Sequence, residues 1–243
     1  MKSSLMFGRA GRAGRRFLTM PAAALVLLVA ASAAWSGQDP RILPPESLPY
    51  GKTYAEWSAE FWKWGLEYPV AGHPFLDDPS FDFSARQSGQ VWFWAAPDGP
   101  LERIVTMPEG KAIFLTLRDV ECSSLEAPPF FGATEQEQRD CAKFFADHIV
   151  DLFCIIDGKP VKNLEAYRVS SPQFQFTAPS PWIFGDTGGA GTAVADGYYL
   201  MLAPLSKGTH TIHYGGTFHF DAGEIDEEPV DFPKDITIRL TVE

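Results

Sequence analysis

Histidines, clustered acids and tryptophans are the side chains through which this 243-residue chain can do chemistry, and three of its five histidines gather at His210, His213 and His219. They flank Gly215-Gly216, a dipeptide that reads as a two-residue hairpin turn. In that register Tyr214 faces Thr217, Ile212 faces His219 and His210 faces Asp221. Strand alternation separates His210 from His213, so no His-x-His pair forms. It leaves His210, His219 and Asp221 on one face, the diagonal pair about 7–8 Å apart at Cα. Two imidazoles and a carboxylate so placed are a candidate transition-metal site, or a catalytic His–Asp pair with a second histidine beside it. The plainer alternative is a hydrogen-bonded cross-strand cluster beside solvent.

Two acidic groups, Asp77/Asp78/Asp82 and Asp221/Glu224/Asp226/Glu227/Glu228, are candidate calcium ligands, but neither has the ligand spacing and glycine of an EF-hand. No cofactor is required by any motif, and calcium or a transition metal stays open. Trp62 and Trp182 are the candidate ligand-binding aromatics, expected to be exposed. Hydrolase signatures such as Gly-x-Ser-x-Gly or a zincin helix are absent from the sequence, although two carboxylates on one sheet face would suffice for a glycosidase. The Gly-Asp-Thr-Gly-Gly-Ala-Gly run at 185–191 lacks the Lys-Ser/Thr ending of a phosphate loop. The catalytic residues, if any, are not identified by motif.

The elements that must position these residues begin with 53–68. Thr53 and Glu56 have capping-box spacing, and Tyr54, Trp57, Phe61, Trp64 and Tyr68 fall on one helical stripe. Glu56, Glu60, Lys63 and Glu67 form a narrow polar arc, with Trp62 on a flank between the two. A second capping box, Thr134 with Glu137, opens a helix expected over about 135–150. Strands are expected at 90–94 (apolar on both faces, hence central), 102–107, 111–118, 151–156, 198–203, 209–214, 217–220 and 236–242. Asp157-Gly158 reads as a hairpin turn, 178–197 as the longest loop, and 221–231 as an acidic loop. The expected architecture is mainly β, an Ig-like or jelly-roll-like β-sandwich with two packed helices at about 54–68 and 135–150.

Residues 1–36 read as an export signal: Lys2, Arg9, Arg12, Arg15 and Arg16 precede an apolar stretch at 22–31 and small residues suited to cleavage. An extended, proline-bearing lead-in follows at 37–52, then a single domain at 53–243. The signal holds five of the 20 basic residues and none of the 31 acidic ones, so the mature chain carries 15 against 31, a net charge of −16. Such a surface disfavours nucleic acid and anionic membrane. In an oxidising compartment one pair among Cys122, Cys141 and Cys154 is expected to close. Cys154 lies in an apolar run suited to a buried thiol, so Cys122–Cys141 is the expected disulfide.

Trp57 with Trp62 and Trp64, Gln90-Val91-Trp92-Phe93, Arg103 before Pro108-x-Gly110-Lys111, Cys122, Asp157-Gly158 and Pro204-Leu205-Ser206-x-Gly208-x-His210-Thr211-Ile212 together resemble a family of uncharacterised exported microbial proteins to which no activity is attached. The resemblance spans most of the mature chain and implies a signal peptide and a β-sandwich-like core. It implies a fold more than a function. The expectation is a secreted or periplasmic, non-enzymatic binding protein for a glycan, small molecule or envelope protein, with no integral membrane domain after signal cleavage. The alternative is a metal-binding or hydrolytic enzyme using His210, His219 and Asp221.

Overall fold

The computed structural model describes residues 39, 41–78 and 81–243. The expected signal at 1–36 lies outside them. The described chain is mainly β, with two helices and two mixed five-stranded sheets.

Helix α1 (Tyr54–Leu66) starts where expected, with both hydrogen bonds of the Thr53–Glu56 capping box formed. Its aromatic stripe packs on the first sheet, where Trp57 and Phe61 meet the rings of Phe93 and Phe114. The Tyr54 hydroxyl donates to the Leu43 carbonyl (2.6 Å) and accepts from the Met201 N–H (3.0 Å), tying lead-in, helix and sheet at one buried atom. The helix ends at Leu66, because the chain turns through Glu67 and Tyr68 toward Pro69. Helix α2 (Glu135–Asp147) also carries its complete capping box and stops short of 150, because strand pairing begins at Ile149.

The first sheet is ordered β1 (Val91–Trp94), β3 (Ala112–Ser123), β8 (Gly189–Leu202), β6 (Arg168–Ser170), with β7 (Phe174–Ala178) also pairing β8. The second is ordered β2 (Gly99–Met107), β10 (Val230–Val242), β9 (Gly208–Phe220), β4 (Ile149–Ile156), β5 (Lys159–Pro160). Turn 108–110 therefore joins two sheets: β2 pairs in parallel with β10, while β3 enters the first sheet. The sheets meet where the Trp94 indole donates to the Tyr214 hydroxyl (2.8 Å) and the Arg118 guanidinium lies 4.1 Å from the Phe218 ring centre.

Four expectations need correcting. β1 is an edge strand: its burial on both faces comes from α1 and Phe83, which packs on Trp92 and Trp94, rather than from strands on either side. The long loop shrinks to 179–188, since the glycine-bearing stretch from Gly189 pairs with β7. Gly215-Gly216 is no turn. β9 runs straight through it, pairing with β10 on one side and β4 on the other. The glycines serve close approach: a Cβ at Gly215 would collide with the Lys234 carbonyl, and one at Gly216 would come within 2.9 Å of Leu152. The acidic loop is correspondingly shorter, because β10 already begins at Val230.

Asp157-Gly158 is the turn it was read as, with both residues at positive φ (51° and 75°) as a type I′ hairpin demands. Cys122 and Cys141 are disulfide-bonded, fastening α2 to β3, and closing a loop of this size stabilises by about 3 kcal/mol. Cys154 is the buried free thiol, its pKa pushed up to about 12 by burial.

Candidate functional site

The site grows out of the short β1. That strand pairs with β3 only over Ala112–Leu115 and then peels away through Ala95, Ala96, Pro97 and Asp98 toward β2 in the other sheet. Among the described residues, no strand replaces it beside β3 from Thr116 to Cys122. A cavity of about 660 Å³ occupies this place, bounded by α1, the free edge of β3, the 126–130 segment and the ends of β9 and β10. Its wall is aromatic, with Phe61, Trp62, Phe75, Phe130, Phe145, Phe218 and Phe220 among its members. Phe184, Ile225 and Phe232 also line it while remaining 41–43% exposed, so they form its rim.

Into this apolar space β3 places an unusual run of charge. A bulge between Thr116 and Arg118 shifts the register, so that Asp119 pairs with Gly197 and Glu121 with Ala195. Arg118 thereby points toward the second sheet: its guanidinium pairs with Asp98 and donates to the Phe232 carbonyl at 2.9 Å. Asp119 sits with buried Lys234, and burial lifts its carboxyl to about 6 against the pull of Lys234, Arg118, the Tyr199 hydroxyl and the Trp62 indole. Burial likewise lowers Lys234, with Asp119 opposing. One Asp119 oxygen finds no hydrogen-bond partner.

Glu121 is the sharper anomaly. It is 2% exposed and neither of its oxygens receives a hydrogen bond. Its charged neighbour is another acid, Glu126, and two adjacent carboxyls oppose each other's ionisation. Burial first, and the Glu126 carboxyl second, push Glu121 well above the carboxylate range. Burial raises Glu126 to about 7, although it accepts from the Ser123 hydroxyl at 2.9 Å. An unpartnered acid in an apolar cavity costs stability. Such costs concentrate at functional positions.

His73 supports the same cavity from outside. Its Nε2 donates to the Gly65 carbonyl (3.0 Å) and its Nδ1 accepts from the Phe75 N–H (3.1 Å), which fixes a neutral tautomer and holds Phe75 against Trp62. Burial lowers its pKa to about 4.

The residues singled out from sequence fare unevenly. Trp62 is buried, not exposed, and lines the cavity, its indole N–H bonded to the Tyr199 hydroxyl at 3.2 Å. Trp182 is also buried, packed against Phe176 and Phe184, and contributes no surface to the cavity. His210 and His219 are not brought together, because they lie nine residues apart on one extended strand. His210 bonds Asp157 (2.9 Å) and the Ser206 carbonyl (2.8 Å), and His219 bonds Asp231 (2.7 Å) with Asp221 at 3.6 Å. The metal triad rested on the turn that does not form, and no group of three or more metal-binding side chains occurs among the described residues. Asp119, Glu121 and Glu126 were missed. The available signal was two acids in the second half of a strand that begins as an apolar run, and a third just after it. No protein-family model, curated protein or solved structure matches the chain.

Proposed function

We propose that this protein is an exported binding protein, its two sheets stacked as a β-sandwich, that holds a small amphiphilic molecule in the cavity beside β3. The carrying observation is Glu121, sealed in an aromatic cavity of about 660 Å³ without a hydrogen-bond partner. Ligand pockets are typically roughly 300–1,000 Å³, mostly apolar, with a few polar groups that fix orientation. That volume suits a small molecule better than a glycan chain or an envelope protein. The exposed Phe184, Ile225 and Phe232 at the rim offer an apolar way in. The basic and apolar start of the chain and the Cys122–Cys141 bond support export.

The test is N-phenyl-1-naphthylamine, an uncharged probe that fluoresces in apolar surroundings, titrated into disulfide-intact protein. Saturable enhancement that is lost in Ala96→Trp, which fills the cavity from its β1 side, supports the reading. Ala96→Leu serves as a milder filling should the tryptophan variant not fold.

A second reading, acid–base catalysis on the captured molecule, is favoured by one observation: Asp119 and Glu126 in the same cavity titrate at about 6 and about 7. Release of nitrophenol from nitrophenyl esters or glycosides, abolished in Glu126→Gln, would establish turnover. No release from any of them removes this reading for those substrate classes.

A further inference from the structure

We propose that the molecule this cavity accepts is a hydrophobic amine, its ammonium group seated on the Glu121 and Glu126 carboxyls and its apolar body against the aromatic wall. This rests on the cavity being a ligand site, and names the class of ligand.

The first observation is an imbalance of partners. Neither of the two cationic side chains lining the cavity acts on Glu121. Arg118 is paired with Asp98, bonded to the Phe232 carbonyl and laid over Phe218, with its Nε left without a partner, while Lys234 feels the charge of Asp119 without a hydrogen bond to it. Neither leaves a donor on Glu121, whose two oxygens remain unsatisfied. The acid pair therefore lacks a cation that the chain does not provide. A hydroxyl ligand would bring one donor to this pair; an ammonium brings three donors and the compensating charge. A carboxylate ligand would bring two acceptors to a place already crowded with them.

The second observation is the wall itself. Trp62, Phe75 and Phe130 line the cavity with the two acids, and aromatic faces attract ammonium groups where carboxylates alone would leave charge exposed to an apolar lining. The third is the approach. Ile225 of the rim belongs to the 221–228 segment, which carries Asp221, Glu224, Asp226, Glu227 and Glu228. Among these, Glu224 meets the His148 imidazole and Asp221 lies 3.6 Å from that of His219. A mouth that is apolar at Ile225, Phe184 and Phe232, with acids flanking Ile225 along the chain, draws in hydrophobic cations and turns away anions.

The experiment compares phenylbutylamine, phenylbutanol and phenylbutyrate as competitors of N-phenyl-1-naphthylamine at about pH 7.5, on wild type, Glu121→Gln and Glu126→Gln. Gln is close in shape to a protonated Glu, so the variants keep the cavity. The amine is expected to bind roughly tenfold or more tighter than the alcohol, and the carboxylate weakest of the three. In Glu121→Gln the amine preference collapses while probe and alcohol binding persist. Equal or tighter binding of the alcohol in wild type overturns the proposal, as does an amine preference that survives both substitutions. If the variants fail to fold, the wild-type ranking decides alone. A saturating probe without amine preference sinks the ligand class and leaves the cavity reading standing; no probe binding removes both.

Discussion

At the scale of single residues, the molecule holds acids and a histidine in states they would not adopt in water, and each leaves a signature in stability. Glu126 keeps its proton in the folded chain up to about 7, against an ordinary 4.5 once unfolded. The folded state therefore binds more protons between those values, and this contribution to stability, full below pH 4.5, is lost as pH rises through about 7. Glu121, raised by burial, and Asp119, raised to about 6, act in the same direction. His73 acts oppositely. Its folded pKa is depressed from 6.5 to about 4, so its contribution is lost as pH falls across that interval. The difference between wild type and Glu126→Gln cancels the histidine. Urea midpoints measured over this pH range are expected to show wild type losing ground to the Gln variant as pH rises, and parallel curves would contradict the raised pKa of Glu126. These states were not legible in the sequence, because Asp119, Glu121 and Glu126 look like any acids near a strand. Their meaning comes from the register shift after Thr116 and from the departure of β1, neither of which has a local sequence signal.

At the scale of elements, local signals were read well where the chemistry is local. Both capping boxes formed at the positions their spacing implied, and Asp157-Gly158 makes the hairpin that its residue types demand. Cys122 found Cys141 because Cys154 is sunk in β4. Gly215-Gly216 was misread, since a glycine pair fits a tight turn and a crowded strand equally well; only the second sheet, packed from both sides, distinguishes them. That distinction is measurable. In a type I′ turn Gly→Ala costs about 1 kcal/mol through its left-handed φ, whereas inside β9 the added methyl collides with the Lys234 backbone. Gly215→Ala is expected to destabilise by about 2–3 kcal/mol in chemical unfolding. A loss near 1 kcal/mol would favour the turn.

At the scale of the whole molecule, the described sheets and helices leave a large, partly open cavity unfilled by their own side chains, and it is lined by buried Arg118, Glu121 and Lys234. A fold of this size has enough apolar surface to close such a gap, so leaving Glu121 unpaired in an aromatic-lined cavity is a cost without a structural return. Under the proposed function, binding would supply the return: a ligand that satisfies the acid stabilises the folded state by an amount that grows with its concentration over its Kd. The mainly β architecture was visible in the strand alternation, whereas the cavity emerges only from how β1 crosses between the sheets. The most direct test is fluorescence titration of the disulfide-intact protein with N-phenyl-1-naphthylamine, alongside Ala96→Trp shown to be folded by its melting transition. Saturable binding in the micromolar range by wild type, lost in the filled variant, is the predicted result. Absence of saturable binding in wild type, or equal binding by the two proteins, would contradict the assignment of the cavity as the working site.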